Sequence, residues 1–216
     1  MPATPENDEF KPKPLRQRGK ARVHAILDAA TEVFLEHGYE KATLADIVAR
    51  SGGSKTLVYE QFGGKAGLFR AMMEMRCASM MEPLAAINDD TRSPREMLTA
   101  FARAFVAALS DPEVLGLQRV ASGEGVRNPD VAEIYFACGH DVAYDQLARY
   151  LSMISAPPTD PAILRRWAIV FFAMIQGDAI ERLVVGAEPL ADREIEAYIE
   201  LAVEWLLSQT GISVAK

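Results

Sequence analysis

A short run of residues after a double glycine carries the side chains best suited to contact nucleic acid. Residues 51–62 read SGGSKTLVYEQF. Lys55, Thr56 and Leu57 would form the first turn of a short helix. A lysine can donate to guanine O6 and N7 or to a phosphate, a threonine can bond a base edge, and a leucine offers apolar contact only. Tyr59, one turn further on, can extend its hydroxyl to a phosphate. This pattern predicts a helix that enters a major groove of DNA.

Two short helices joined by a glycine turn would hold these side chains outward. Thr43 and Asp46 resemble the capping box that starts a helix. Gly52 stands where the chain leaves that helix in the left-handed conformation, and Ser54 then caps the second helix. The arrangement is that of a helix-turn-helix, in which a three-helix core exposes the first turn of the reading helix. The alternative is an ordinary short surface helix, since serine caps and glycine turns are common.

Further side chains around this motif suit the phosphate backbone. Thr43 lies beside the free amides of a helix start, and Lys65 opens the helix that follows. Residues 1–18 are expected to be a disordered basic arm, because they are proline-rich and poor in apolar residues. The arm could attract phosphates or reach a minor groove, or it could be a solubilising tail. Its basic residues, with those just after it, are Lys11, Lys13, Arg16, Arg18, Lys20 and Arg22.

The net charge of -7 hides a split along the chain. Residues 10–70 hold eleven Lys or Arg against six Asp or Glu, a net charge of +5, whereas residues 71–216 carry a net charge of -9. A basic end before an acidic remainder indicates nucleic acid as the partner of the first part. A chance drift of surface charge is the alternative.

The chain reads as helix almost throughout, which predicts an all-α fold. A capping side chain followed by proline recurs at helix starts, as in Ser93-Pro94. The expected helices lie near residues 20–37, 44–50, 55–61, 65–87, 94–109, 112–123, 129–154, 160–185 and 192–208. There is no apolar run of about 18 residues and no apolar leader segment, so we expect no membrane contact and a cytoplasmic location.

No group of residues in the sequence predicts catalysis, a metal or a cofactor. Cys77 and Cys138 lie far apart without metal-ligand spacing, and we expect them to be free thiols. The run Cys138-Gly139-His140-Asp141 combines reactive types, but adjacent residues on a helix point in different directions. We therefore expect no enzyme, although a helical enzyme with a cleft of converging groups is a competing class.

Residues 20–69 resemble the DNA-binding domain of the TetR family of transcriptional regulators. About fifty residues, 20–69, match in order and spacing without a gap. The resemblance implies a DNA-binding domain over 19–66 and a helical ligand-binding and dimerisation domain over 67–216. The sequence departs from the family pattern at Glu60, where an aromatic or basic residue is usual. The residues that carry the resemblance are Ile26, Leu27, Ala29, Ala30, Phe34, His37, Gly38, Tyr39, Thr43, Ile47, Ala49, Ser51, Gly52, Ser54, Lys55, Tyr59, Phe62, Lys65, Leu68 and Phe69.

Two further expectations concern residues 67–216. The stretch from Arg119 to Pro129 resembles the C-terminal domain of the AefR-like branch of this family, and Glu124 is expected to hold its turn by accepting backbone N–H bonds. Methionine and aromatic residues could line an apolar pocket, although plain core packing is the alternative. The pocket candidates are Met73, Met97, Phe101, Phe105, Arg119, Tyr135, Phe172 and Gln176.

The last two helices carry more apolar surface than one packing face requires, which predicts a two-fold homodimer. Two-fold symmetry would place two reading helices about 34 Å apart, as a palindromic site requires. The expected interface residues are Trp167, Val170, Ile180, Leu183, Ile199, Val203 and Leu206. The expected function is a repressor released from its operator by a small apolar ligand. The alternative is a regulatory or architectural DNA-binding protein of the same fold without a ligand.

Overall fold

The computed structural model describes residues 17–85 and 92–211, and every regular element in these ranges is a helix. The predicted all-α class is confirmed. The predicted arm lies outside the described residues except for Gln17 and Arg18, which already belong to the first helix. The helices are α1 (Gln17–Lys41), α2 (Leu44–Ser51), α3 (Lys55–Phe62), α4 (Lys65–Ala85), α5 (Pro94–Leu109), α6 (Pro112–Glu124), α7 (Pro129–Tyr135), a π-helical turn (Phe136–His140), α8 (Asp141–Ile154), α9 (Pro161–Gln176), α10 (Ala179–Val185) and α11 (Asp192–Gln209).

Local capping explains where several of these helices begin. Ser93 forms a full capping box with Glu96 at the start of α5. Asp111 and Asp160 cap α6 and α9, each with a proline at the first helical position. Asn128 precedes a proline in the same way, but its side chain makes no capping bond at the start of α7.

Two long predicted helices contain interruptions that the sequence pattern did not show. The segment 160–185 is divided at Gly177, whose φ of 49° breaks the helix before α10 begins. A side chain at Gly177 would also press against the ring of Tyr198. The segment 129–154 is helical throughout, but it contains the π-helical turn Phe136–His140. Such a turn adds one residue to the helix and re-aims the side chains after it.

The buried side chains form two cores. The first combines α1–α4 with α6 and α7, around the aromatic group of Phe34, Tyr39 and Phe69, whose ring centroids lie 5.1 to 5.7 Å apart. Leu117 of α6 and Ile134 of α7 belong to this core. The second core is built from α5, α8, α9 and α11. We call the three helices α1–α3 the reading head. Helices from the second part of the chain therefore share a core with the reading head.

Candidate nucleic-acid interface and ligand cavity

One face of α3 is left open to solvent. Val58 and Phe62 point into the first core, and Leu57 is half-buried against it. Lys55, Thr56 and Tyr59 lie on the opposite face, and Tyr59 is 56% exposed. This is the arrangement that a helix needs if it is to enter a DNA groove while it stays anchored to its own domain.

The residues that cap α2 and α3 are engaged within the chain. Ser54 Oγ accepts the backbone N–H of Leu57 at 3.2 Å. The hydroxyl of Thr43 donates to Asp46 Oδ2 at 2.6 Å and accepts the Asp46 backbone N–H at 3.2 Å. Gly52 ends α2 with a φ of 66°, as expected for a left-handed cap. These contacts orient the reading helix, and the DNA contacts expected of Thr43 and Ser54 stay predictions.

Lys65 is turned toward the protein. Its Nζ donates to the carbonyl oxygen of Glu40 at 2.9 Å and lies 4.6 Å from the centre of the Tyr39 ring. Burial lowers the pKa of Lys65, with the carboxylates of Glu124 and Glu40 acting in the opposite direction. These contacts favour a role for Lys65 in fastening α4 to the end of α1.

Glu124 fastens α6 to the reading head. Its Oε2 accepts the backbone N–H of Glu40 at 2.7 Å. The carboxylate therefore accepts a backbone N–H as expected, but from the end of α1 and not from its own turn. It can reach that far because Gly38 has no side chain, and a Cβ there would overlap Glu124 Oε1. Gly38 also has a φ of 73°, which glycine adopts without penalty.

Arg76 makes a second link between the two parts of the chain. From α4 it contacts Asp28 of α1 at 3.2 Å and the hydroxyl of Thr31 at 3.3 Å. Its Nε lies 2.7 Å from Glu113 at the start of α6. The guanidinium thus holds three helices together, and α4 and α6 are both tied to α1.

A cavity of about 60 Å³ lies next to this link. Five of the candidates named from the sequence, Met73, Phe105, Tyr135, Phe172 and Gln176, line it, and their contact with a ligand stays a prediction. Further lining residues come from α4, α5, α6, the π-helical turn and α8. They are Arg76, Cys77, Leu109, Val114, Leu117, Gln118, Gly139, His140, Ala143 and Tyr144.

Three predicted pocket residues lie elsewhere. Met97 and Phe101 are buried in the second core, where the plain packing alternative holds. Arg119 points away from the cavity, and its side chain donates to the carbonyl oxygens of Leu183 and Val184 at 2.6 and 2.9 Å. The neighbouring Gln118 lines the cavity instead. It shares a helix face with Val114 and Leu117, and that spacing is a signal by which the sequence could have identified it.

The cavity is close to electrically neutral. Burial raises the pKa of Tyr135 to about 12 and that of Cys77 to about 11, so both are uncharged at neutral pH. Burial also lowers the pKa of His140, which keeps its ring neutral. Arg76 is charged, but Glu113 and Asp28 balance it.

The expected dimer residues divide between two opposite helix faces. Ile180, Ile199, Val203 and Leu206 are almost fully buried within their own chain, so they cannot form an outer contact surface as predicted. Trp167 and Leu183 are half-buried and Val170 is 41% exposed. An outward apolar surface does exist, and we call it the outer stripe. It consists of Ile163, Trp167, Val170 and Met174 on α9 with Ala197, Leu201 and Trp205 on α11.

Residues 17–85 and 92–211 hold no cluster of three or more His, Cys, Asp or Glu placed to bind a metal ion. None of the helices in the described part of the chain is both long and apolar enough to span a membrane.

Two family descriptions match the chain. Residues 26–72 match the family described as bacterial regulatory proteins, tetR family. Residues 96–209 match the C-terminal domain of AefR-like transcriptional repressors. The second match alone spans more than half of the 216 residues.

Individual relatives agree with this assignment. The repressor ComR of Escherichia coli is 40% identical over 62 residues, which are 27% of this chain and 30% of ComR. The activator FasR of Mycolicibacterium smegmatis is 26% identical over 127 residues, 57% of this chain and 58% of FasR. The chain thus aligns with between 30% and 58% of the length of these relatives.

Solved structures share the fold over nearly the whole chain. A TetR-family transcriptional regulator from Mesorhizobium loti superposes with a TM-score of 0.73 at 22% identity, covering 91% of this chain and all of that one. The flavonoid-responsive regulator FrrA superposes with a TM-score of 0.69 at 23% identity, covering 88% and 97%. The chain therefore belongs to the TetR family of bacterial transcriptional regulators, with a C-terminal domain of the AefR-like type.

Proposed function

We propose that this protein is a cytoplasmic, homodimeric repressor that binds a palindromic DNA operator and leaves it when a small, mostly apolar ligand enters the cavity. The observation that carries the proposal is the open face of α3, with Lys55, Thr56 and Tyr59 on its outer side. In this proposal residues 1–18 are a basic arm, 19–66 the DNA-binding domain and 67–216 the ligand-binding and dimerisation domain.

Charge supports DNA as the partner of the reading head. Residues 10–70 carry a net charge of +5 within a chain of net charge -7. Phosphate attraction would therefore orient the molecule with its reading head toward the duplex and its acidic remainder away from it. Lys55 and Thr56 are the exposed side chains at the start of α3 that can reach base edges.

The outer stripe supports a dimer. Ile163 is 40% exposed, Val170 41% and Leu201 57%, and they lie on neighbouring helices α9 and α11. Two copies of this surface would pack as four helices about a two-fold axis. The same axis would present two copies of α3 to successive major grooves of a palindromic site.

The links to α1 support control by a ligand. The cavity walls include α4 and α6, and both helices are fastened to α1, through Arg76 with Asp28 and through Glu124 with Glu40. A ligand that separates these walls would change the position of the reading head. It would then favour a dimer whose two reading helices no longer fit adjacent grooves.

The names of relatives support the direction of this control. The AefR-like domain is described as that of a repressor, and ComR is also a repressor, whereas FasR is an activator. FrrA is named as responsive to a flavonoid. We propose that the ligand of this chain is also small and aromatic. Such a ligand suits a cavity with four aromatic side chains in its wall.

Selection of bound fragments from random DNA tests the proposal. We expect the full chain to enrich a palindrome with half-sites about one helical turn apart. A panel of small aromatic metabolites added to the complex should contain at least one that releases the DNA. The competing function is a regulator without a ligand. Such a protein would bind the palindrome and stay bound in the presence of every compound. The cavity argues against this alternative.

A further inference from the structure

The shape of the cavity limits the size of its occupant. Phe105 and Phe172 stand edge to face with ring centroids 4.6 Å apart, and Tyr144 packs on Phe172 at 5.5 Å. Such walls suit a flat ring. The volume of about 60 Å³ is smaller than the roughly 150 Å³ in which an engineered cavity holds benzene. A single ring is therefore the largest flat occupant to expect, and the flexible side chains Met73 and Leu109 must shift to admit it.

One polar atom in the wall indicates what the occupant must donate. Gln118 Oε1 is buried and accepts no hydrogen bond from any residue in the described ranges. The Gln118 side chain lies in the cavity lining, but its Oε1 is not accessible to water, so the shift of the wall that admits a ring must also uncover this atom. A buried carbonyl oxygen without a donor is unfavourable, so a ligand that brings a hydroxyl to this atom gains a hydrogen bond that no described residue supplies.

The charges around the cavity disfavour an anion. Arg76 is the charged lining residue in the described part of the wall, and Glu113 and Asp28 already contact it at 2.7 and 3.2 Å. These two carboxylates neutralise the Arg76 guanidinium, so no net positive charge is available to pair with an anionic ligand. His140 is half-buried, and burial lowers its pKa, so its neutral ring adds no cation to the site.

We propose that the cavity takes a neutral one-ring aromatic alcohol of the phenol class. Its ring lies among Phe105, Tyr144 and Phe172, and its hydroxyl donates to Gln118 Oε1. This assignment rests on the proposed function, because it names the chemical class of the effector. Met73 belongs to α4 and Gln118 to α6, the two helices tied to the reading head. Entry of the ring would therefore displace helices that hold the reading head in position.

Titration of the full chain with three matched probes tests the proposal. Phenol, anisole and benzoate share one ring, but anisole cannot donate a hydrogen bond and benzoate is an anion. NMR-detected titration reaches weak affinities. We expect phenol to bind at least about tenfold more tightly than anisole, the size of one recovered buried hydrogen bond, and benzoate to bind most weakly.

Two glutamine variants locate the contact. Gln118→Leu should lower the affinity for phenol to that for anisole. Gln146→Leu is the matched control, because Gln146 Oε1 is also buried and without a donor among the described residues, but lies on α8 outside the cavity lining. It should leave phenol binding unchanged.

Equal affinity for phenol and anisole, tighter binding of benzoate, or a phenol preference that survives in Gln118→Leu would each overturn the proposal. If circular dichroism shows that this variant does not fold, the probe series on the unaltered chain decides the question. Operator binding is measured separately. DNA binding without a phenol preference overturns the ligand assignment alone, whereas phenol binding without DNA binding overturns the proposed function alone.

Discussion

At the scale of single residues, two lysines that look alike in the sequence have different surroundings. Lys55 projects from the open face of α3, whereas Lys65 Nζ is bound to the Glu40 carbonyl and lies over the Tyr39 ring. Residue type and spacing identified both as candidates for DNA contact. They could not show that the ammonium of Lys65 meets an acceptor from α1, because that contact depends on how the end of α1 folds back at Gly38.

Replacing each lysine by alanine should separate their roles. Lys55→Ala should weaken binding to the selected operator by about tenfold or more, within the range for loss of a base contact, and leave stability unchanged. Lys65→Ala should lower the free energy of unfolding by about 1 kcal/mol, from the lost cation–π contact and hydrogen bond. Fluorescence anisotropy and urea unfolding measure the two effects. An equal loss of affinity in both variants, at unchanged stability, would contradict this division.

Glu60 lies on the same open face as Thr56 and Tyr59, where a carboxylate would face the phosphates. Glu60→Gln should therefore tighten binding by about two- to fivefold at low salt, since an exposed charge interaction is worth up to about 1 kcal/mol. The preference for the operator over random DNA should not change. Glu188→Gln, in an exposed loop of the second part of the chain, is the control and should have no effect. Unchanged affinity in Glu60→Gln would show that the carboxylate points away from the duplex.

At the scale of helices, local chemistry predicted the starts well and the interruptions poorly. Ser54, Ser93, Asp111 and Asp160 cap their helices as their sequence context indicates. The break at Gly177 was not predicted, because an isolated glycine in an apolar run is compatible with a continuous helix. Glycine is required there by its φ of 49°, and a Cβ would also press on the ring of Tyr198, which is distant in sequence.

Two glycines within helices should respond to alanine with opposite signs. A Cβ at Gly67 of α4 would overlap the backbone carbonyl oxygen of Phe62, so Gly67→Ala should destabilise the fold by about 2 kcal/mol. A Cβ at Gly123 of α6 would meet no atom within 4 Å, so Gly123→Ala should stabilise it by about 0.5 kcal/mol. Urea unfolding of both variants measures the difference. A stable Gly67→Ala protein would show that α4 does not pack so closely on α3.

At the scale of the whole molecule, the two family matches show that the chain belongs to the TetR family of transcriptional regulators. The sequence identified α9 and α11 as helices with surplus apolar surface, but it did not identify which face is outward. Val203 and Leu206 are buried within the chain, whereas Leu201 is exposed. A helix with apolar residues on two sides gives no local signal that distinguishes core from interface, because the choice depends on where the neighbouring helices pack.

The outer stripe should control the oligomeric state. Leu201→Glu places a charge in the middle of the proposed interface, so light scattering after gel filtration should give the mass of one chain, 23.7 kDa, in place of twice that value. Val126→Glu is the control, since Val126 is 94% exposed and far from the stripe in sequence. A Leu201→Glu protein that keeps the dimer mass would place the interface elsewhere.

The affinity of the full chain for its selected palindrome, measured against a scrambled duplex over a range of salt concentrations, tests the central claim most directly. We expect the palindrome to bind at least about a thousandfold more tightly than the scrambled duplex. Affinity should fall by about a hundredfold between 50 and 200 mM salt, as expected for about four neutralised phosphates. Equal affinity for both duplexes, or affinity that does not depend on salt, would contradict the account.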